Sequence, residues 1–161
     1  MANGHASMAS VVASLRRLHA NDLVVYRRAH RERRNRWIHY AMIPVECGSF
    51  QVFVCLFAGA QLNWLVGIVF AVLSAVVATR ASTGITTAAF HLSSSVVSAS
   101  LVQKFGWWRA FLSASASWTA SWAVQVGIGH YLFEKNSPNV ANMSEVSYLA
   151  MCLSVLIAWS S

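Results

Sequence analysis

Between residues 40 and 133 the chain carries only four charged side chains, Glu46, Arg80, Lys104 and Arg109. A water-soluble domain covers its surface with charge, and about a quarter of its residues are normally ionised. The whole chain of 161 residues is 11% charged and 57% hydrophobic, with a mean hydropathy of +0.50. An ordinary soluble enzyme is therefore excluded, and a small polytopic membrane protein is expected. Three cysteines are too few for a disulfide scaffold or a four-cysteine zinc module. Cys47, Cys55 and Cys152 all lie in apolar segments and read as small buried hydrophobes.

A membrane span needs about 20 apolar residues. Residues 40–58, 62–79, 85–102 and 110–133 can each supply one. Residues 59–63 read as a tight turn, 80–84 as a short polar return and 104–109 as a loop ending in the interfacial pair Trp107-Trp108. The apolar tail, 146–159, is short for a crossing and suits an interfacial or shallow re-entrant helix. The expected fold is all-α: one membrane domain over 1–161, with about four transmembrane helices and a short apolar C-terminal helix. Residues 1–21 are expected to be flexible and 22–161 to form the helical bundle. Residues 22–40 contain no Gly or Pro and read as one Arg-rich helix.

The net charge is +7, and eight of the twelve Lys and Arg residues fall between Arg16 and Arg36. No nucleic-acid-binding motif accompanies them, so a nucleic-acid partner is not expected. A cytoplasmic segment beside anionic lipid is the simpler reading. With an even number of spans, the arm, Arg80 and Lys135 share one side with ten basic residues, against two on the other. The positive-inside rule then places the N-terminus in the cytoplasm.

Along the fourth stretch, Ser113, Ser117, Ser121, Gln125 and Gly129 recur every four residues, a stripe that suits close helix packing. Six histidines are many for such a chain. His5 and His19 lie in the polar N-terminal region and are expected to be solvated. His30 and His39 belong to the arm, and His130 ends the fourth stretch on the same expected side. Neutral imidazole is the commonest metal ligand. His130 and Glu134 are four apart and share a helix face. His30 and His39 are nine apart, so one straight helix would point them in opposite directions. Their convergence on one metal requires a break that no residue between them explains. His91 lies inside the third stretch, and a role for it as a ligand is open. No phosphate-binding loop, nucleophile elbow or zinc-type Cys pair is present.

Two motifs carry a family resemblance. The first is Leu23-Val24-Val25-Tyr26 followed by His30, Asn35, His39 and Pro44. The second is Trp122-Ala123-Val124-Gln125 followed by Gly129-His130, Phe133-Glu134-Lys135 and Pro138. Together they resemble the 2-hydroxy fatty acid dioxygenases, which convert phytosphingosine-derived 2-hydroxy acids to odd-numbered fatty acids. The resemblance runs from about Leu23 to the C-terminus. It implies a multi-pass enzyme of the endoplasmic reticulum membrane that uses Fe(2+) and dioxygen to remove the carboxyl carbon of a 2-hydroxy fatty acid. It implies His30, His39 and His130 as iron ligands. Glu134 is implied as a ligand or a supporting residue, and Asn35 and Gln125 as hydrogen-bonding supports. Arg27, Arg34 and Lys135 are candidates to neutralise the substrate carboxylate. The competing readings are a non-catalytic membrane protein that binds anionic lipid or a partner through its arm, and a zinc-dependent lipid hydrolase.

Overall fold

The computed structural model describes residues 7–135 and 147–161, with backbone alone for 147–153. His5, Pro138 and the side chain of Cys152 lie outside the described residues, as does the start of the expected tail at residue 146. Every regular element described is helical: α1 Met8–Ala29, α2 Arg33–Val77, α3 Ala81–Ala123 continuing into a π-helical segment Val124–Glu134, and α4 Ser147–Ser160. Residues 8–21, within the stretch expected to be flexible, are helical and form the start of α1.

Straight, the 45 residues of α2 would run about 68 Å at 1.5 Å per residue, over twice a bilayer's hydrocarbon core. The helix instead breaks at Gly59, φ 85° and ψ 166°. Gly106 breaks α3 in the same way, with φ 76° and ψ 168°. This backbone region is essentially open only to glycine. The consequence at Gly59 is a hairpin: Phe50 and Phe70, 20 positions apart, stack with ring centroids 6.4 Å apart. The two long elements therefore make four legs, 33–58, 60–77, 81–105 and 107–134. The expected turn at 59–63 contracts to one residue, and Asn63 is a buried residue of the second leg. The expected loop at 104–109 contracts likewise to Gly106.

The first and fourth legs run antiparallel. Phe57 meets Trp107 at 5.7 Å, Phe53 meets Phe111 at 6.0 Å, and Ser121 Oγ donates to the Met42 carbonyl at 3.0 Å. Small residues bring the second and third legs together. A Cβ at Gly67 would collide with the Ser95 side chain and approach the His91 carbonyl. Between these legs and the first lies a polar layer. Asn63 Nδ2 donates to the Ser95 carbonyl and to Ser98 Oγ, both at 2.9 Å. Ser95 Oγ donates to Gln51 Oε1 at 3.1 Å. Such side-chain bonds tie the first three legs to one another.

The C-terminal helix is packed into the bundle. Leu156 and Ile157 pack with Leu23 and Val77, while Val155 and Ala158 pack with Ile43 and Cys47. Pro44 has no N–H for the carbonyl four residues earlier. That carbonyl, Tyr40 O, instead accepts from Trp159 Nε1 at 3.2 Å. Arg16 Nε supplies the Val76 carbonyl in the last turn of α2 at 2.9 Å. Helix ends leave such carbonyls open, and here side chains from distant segments fill them.

Candidate metal centre

The Arg-rich segment 22–40 is not one helix. Helix α1 ends at Ala29, and α2 starts at Arg33 after the extended residue Glu32, φ −73° and ψ 126°. Two local bonds mark the break. The backbone N–H of His30 closes α1 on the Tyr26 carbonyl at 2.9 Å. The Glu32 side chain caps Arg34 N at 3.3 Å. A third bond is long-range: Glu134 Oε1 accepts the Glu32 N–H at 2.7 Å. One bond at the break thus comes from about a hundred residues away, and the stretch itself contains no Gly or Pro. With the break in place, His30 turns back over His39, and their ring centroids lie 4.3 Å apart.

The fourth leg supplies the third imidazole through its π-helical end. In an α-helix, residues five apart point away from each other. A π turn bonds i to i+5 and brings them together. Gln125 and His130 are both buried in this segment and both reach His39. The His39 and His130 Nε2 atoms are 3.2 Å apart. One ligand atom from each of His30, His39 and His130 lies within 4.8 Å of the others, and all three residues are buried.

The hydrogen bonds decide where the ring protons sit. Gln125 Nε2 donates to Glu46 Oε2 at 3.1 Å and to Ser121 Oγ at 3.0 Å. This fixes the amide so that its oxygen faces His39 Nδ1 at 2.7 Å. An amide oxygen only accepts, so Nδ1 of His39 carries the proton and Nε2 presents a lone pair. The same holds for His30, whose Nδ1 donates to the Tyr26 carbonyl at 2.8 Å and whose Nε2 is buried without a partner. Burial pushes the His30 ring down to about 4. The bond to Tyr26 and the Glu134 charge oppose that fall, and His130 adds to it. Two buried lone pairs therefore face a third imidazole with no proton of their own to share. A cation satisfies all three at once, and metal-bound histidines are typically oriented through their other ring nitrogen in this way.

The remaining candidates separate cleanly. Glu134 is engaged with the Glu32 N–H and, at 3.3 Å, with Asn35 Nδ2. Asn35 is fully buried against Gly129, where a Cβ would collide with its Oδ1. Arg27 donates to the Ser160 carbonyl at 3.0 Å. Arg34 is exposed and lies 5.5 Å over the Phe133 ring. Lys135 is exposed in the left-handed conformation that ends the π segment. His91 stands apart: it is 0% exposed, both ring nitrogens lack partners, and Phe70 and Phe90 meet it edge-on. His19, expected to be solvated, is instead buried at 0% exposure with both ring nitrogens unpaired.

Glu46 was not singled out from sequence as a site residue, although it is the one charge inside an apolar stretch. A lone carboxylate there implies a polar partner, and Gln125 Nε2 is one, at 3.1 Å.

Fold and site together define an all-helical protein with a buried three-histidine group able to hold a metal. Two of its helices, Arg33–Val77 and Ala81–Glu134, are long and apolar enough to cross a membrane. Residues 17–159 match the model of the 2-hydroxy-palmitic acid dioxygenase Mpo1-like family, and the chain belongs to that family. No curated protein and no solved structure matches it.

Proposed function

We propose that this protein is an Fe(2+)-dependent dioxygenase that removes the carboxyl carbon of 2-hydroxy fatty acids and yields an acid one carbon shorter. The family supports the substrate class and the reaction. The single observation that carries the reading is the convergence of His30, His39 and His130, with two protonated Nδ1 atoms turned outward. Three neutral nitrogen ligands with open positions suit an oxygen-activating iron, which when bound supplies the chemistry toward dioxygen.

The chain's own residues have distinct tasks. His30, His39 and His130 hold the ion. Gln125, itself oriented by Glu46 and Ser121, keeps His39 in its metal-binding tautomer. Glu134 and Asn35 keep the His30–Glu32 break closed over the site. Burial of the rings excludes bulk water.

The four legs are read as four membrane spans. This puts the arm and Glu134 on one face, with ten basic residues on that side against two on the other. The face is the cytoplasmic one by the positive-inside rule, and the membrane is that of the endoplasmic reticulum. A substrate whose head reaches this rim can leave its acyl tail in lipid, where burial is favourable by about 0.8 kcal/mol per methylene.

Metal analysis of the purified protein, paired with oxygen uptake on 2-hydroxypalmitate, tests the reading. Iron and substrate-dependent oxygen uptake are expected. Iron-free protein that takes up no oxygen after iron is supplied rejects it, and zinc with hydrolytic activity favours the hydrolase.

A further inference from the structure

None of the three cations singled out from sequence is placed to meet a substrate head at the histidines. Arg27 is committed to the end of α4, and Arg34 and Lys135 are exposed. A different arginine faces inward. Arg36 lies three residues before His39 on α2, about 4.5 Å up the helix axis toward its start. Its side chain is half-buried, and its Nε is buried with no hydrogen-bond partner. Glu134 and Glu32, the two described acids at the break, are engaged with backbone and Asn35 instead.

Tyr26, on α1, offers a second donor of this kind. Its ring stacks on His30 at 3.9 Å with 15° between planes and meets His39 edge-on at 6.2 Å. Its hydroxyl is also buried without a partner. Tyr26 and Arg36 belong to the two helices that meet at the break, Tyr26 on α1 against the His30 ring and Arg36 on α2 one turn before His39. Two buried donors without an acceptor, one of them on a cation, thus belong to residues beside the imidazole group, Tyr26 by ring contact and Arg36 by its place on α2. Leaving such donors unsatisfied is costly, and a charged acceptor compensates best. Tyr26 packs directly on a metal-ligand ring, so an acceptor bound here lies at the edge of the metal centre.

We propose that Arg36 and Tyr26 form the carboxylate-recognition edge of this centre, with the Arg36 guanidinium and the Tyr26 hydroxyl donating to the head group of a 2-hydroxy acid. The inference rests on the dioxygenase reading and deepens it. It makes the free carboxylate the feature selected, so esters, amides and alcohols of the same chain length bind poorly.

The test measures binding of 2-hydroxypalmitate and of the carboxylate-free hexadecane-1,2-diol to the detergent-solubilised protein, with metal content determined alongside. The wild type should prefer the acid. Arg36→Gln should weaken acid binding roughly 10- to 100-fold, the range for a hydrogen bond to a charged group, and leave diol binding and metal content unchanged. Arg36→Lys should recover part of the loss. Tyr26→Phe should cost several-fold. Arg34→Gln, on the exposed surface, should bind the acid as the wild type does. A wild type that holds the diol as tightly as the acid overturns the proposal. So does an Arg36→Gln protein with unaltered acid affinity, or one that loses acid and diol alike. Acid selectivity through Arg36 without oxygen uptake keeps the carboxylate site and discards the oxygenase reading. Oxygen uptake with an unchanged KM in Arg36→Gln does the reverse.

Discussion

At the Gly59–Gly106 end of the bundle, each reversal is made by one glycine with positive φ, and the turns are clothed in aromatic rings. Trp107, Phe111 and Phe57 pack there with centroids 5.2 to 6.2 Å apart. At the histidine end, the break between α1 and α2 uses no glycine. It carries two local bonds and one that reaches across the molecule, from the Glu32 N–H to Glu134. A glycine turn is a local solution and asks nothing of the rest of the fold. A break bonded to a distant side chain is complete only when the bundle has assembled, so the three-histidine geometry and the assembled bundle arise together.

The largest effect expected from this contrast is on metal content. His39→Ala removes a ligand and should lower iron affinity by more than the ~10–100-fold typical of losing a supporting partner. Gln125→Leu, which removes such a partner, should fall within that range. His91→Leu should retain the metal, because its ring lies outside the three-histidine group. Iron titration of the purified variants checks the series, and loss of iron in His91→Leu would break the assignment.

At the opposite end the effect should be on stability alone. Gly59→Ala and Gly106→Ala each force a side chain into a backbone region costing of order 1–3 kcal/mol. There is open space around both Cβ positions, so the penalty is conformational and not steric. Denaturation should shift by that amount in each variant while iron affinity stays at the wild-type value. A drop in iron affinity would show that the two ends are coupled more tightly than the packing implies.

The smallest effect concerns the docking of α1. His19 is buried beneath that helix, and burial holds its pKa below the usual 6.5. The unfolded chain therefore binds more protons than the folded one as pH falls through that value, so this contribution favours folding at neutral pH and opposes it in acid. Thermal melts at pH 7.5 and 5.5 should show a smaller acid loss in His19→Leu than in the wild type. Equal losses would mean that His19 does not titrate on folding.

Residue chemistry alone pointed to apolar stretches and an all-helical class, and the family resemblance singled out the three histidines. Long uncharged runs need apolar surroundings, and helix is the way a single segment satisfies its backbone there. His30, His39 and His130 were legible through two motifs about ninety residues apart in the chain. Tertiary structure alone decided how they converge. The break after Ala29 is bonded to Glu134, a partner with no local signature near residue 30. The alignment of Gln125 with His130 depends on a π-helical turn, and nothing in residues 124–134 announces it. The same holds for His19 and Arg36: a polar residue in a basic arm reads as solvated until another helix covers it. Periodicity and composition record what each residue prefers by itself. Which hydrogen-bond partner a buried nitrogen finds is settled only when segments far apart in the chain are packed together.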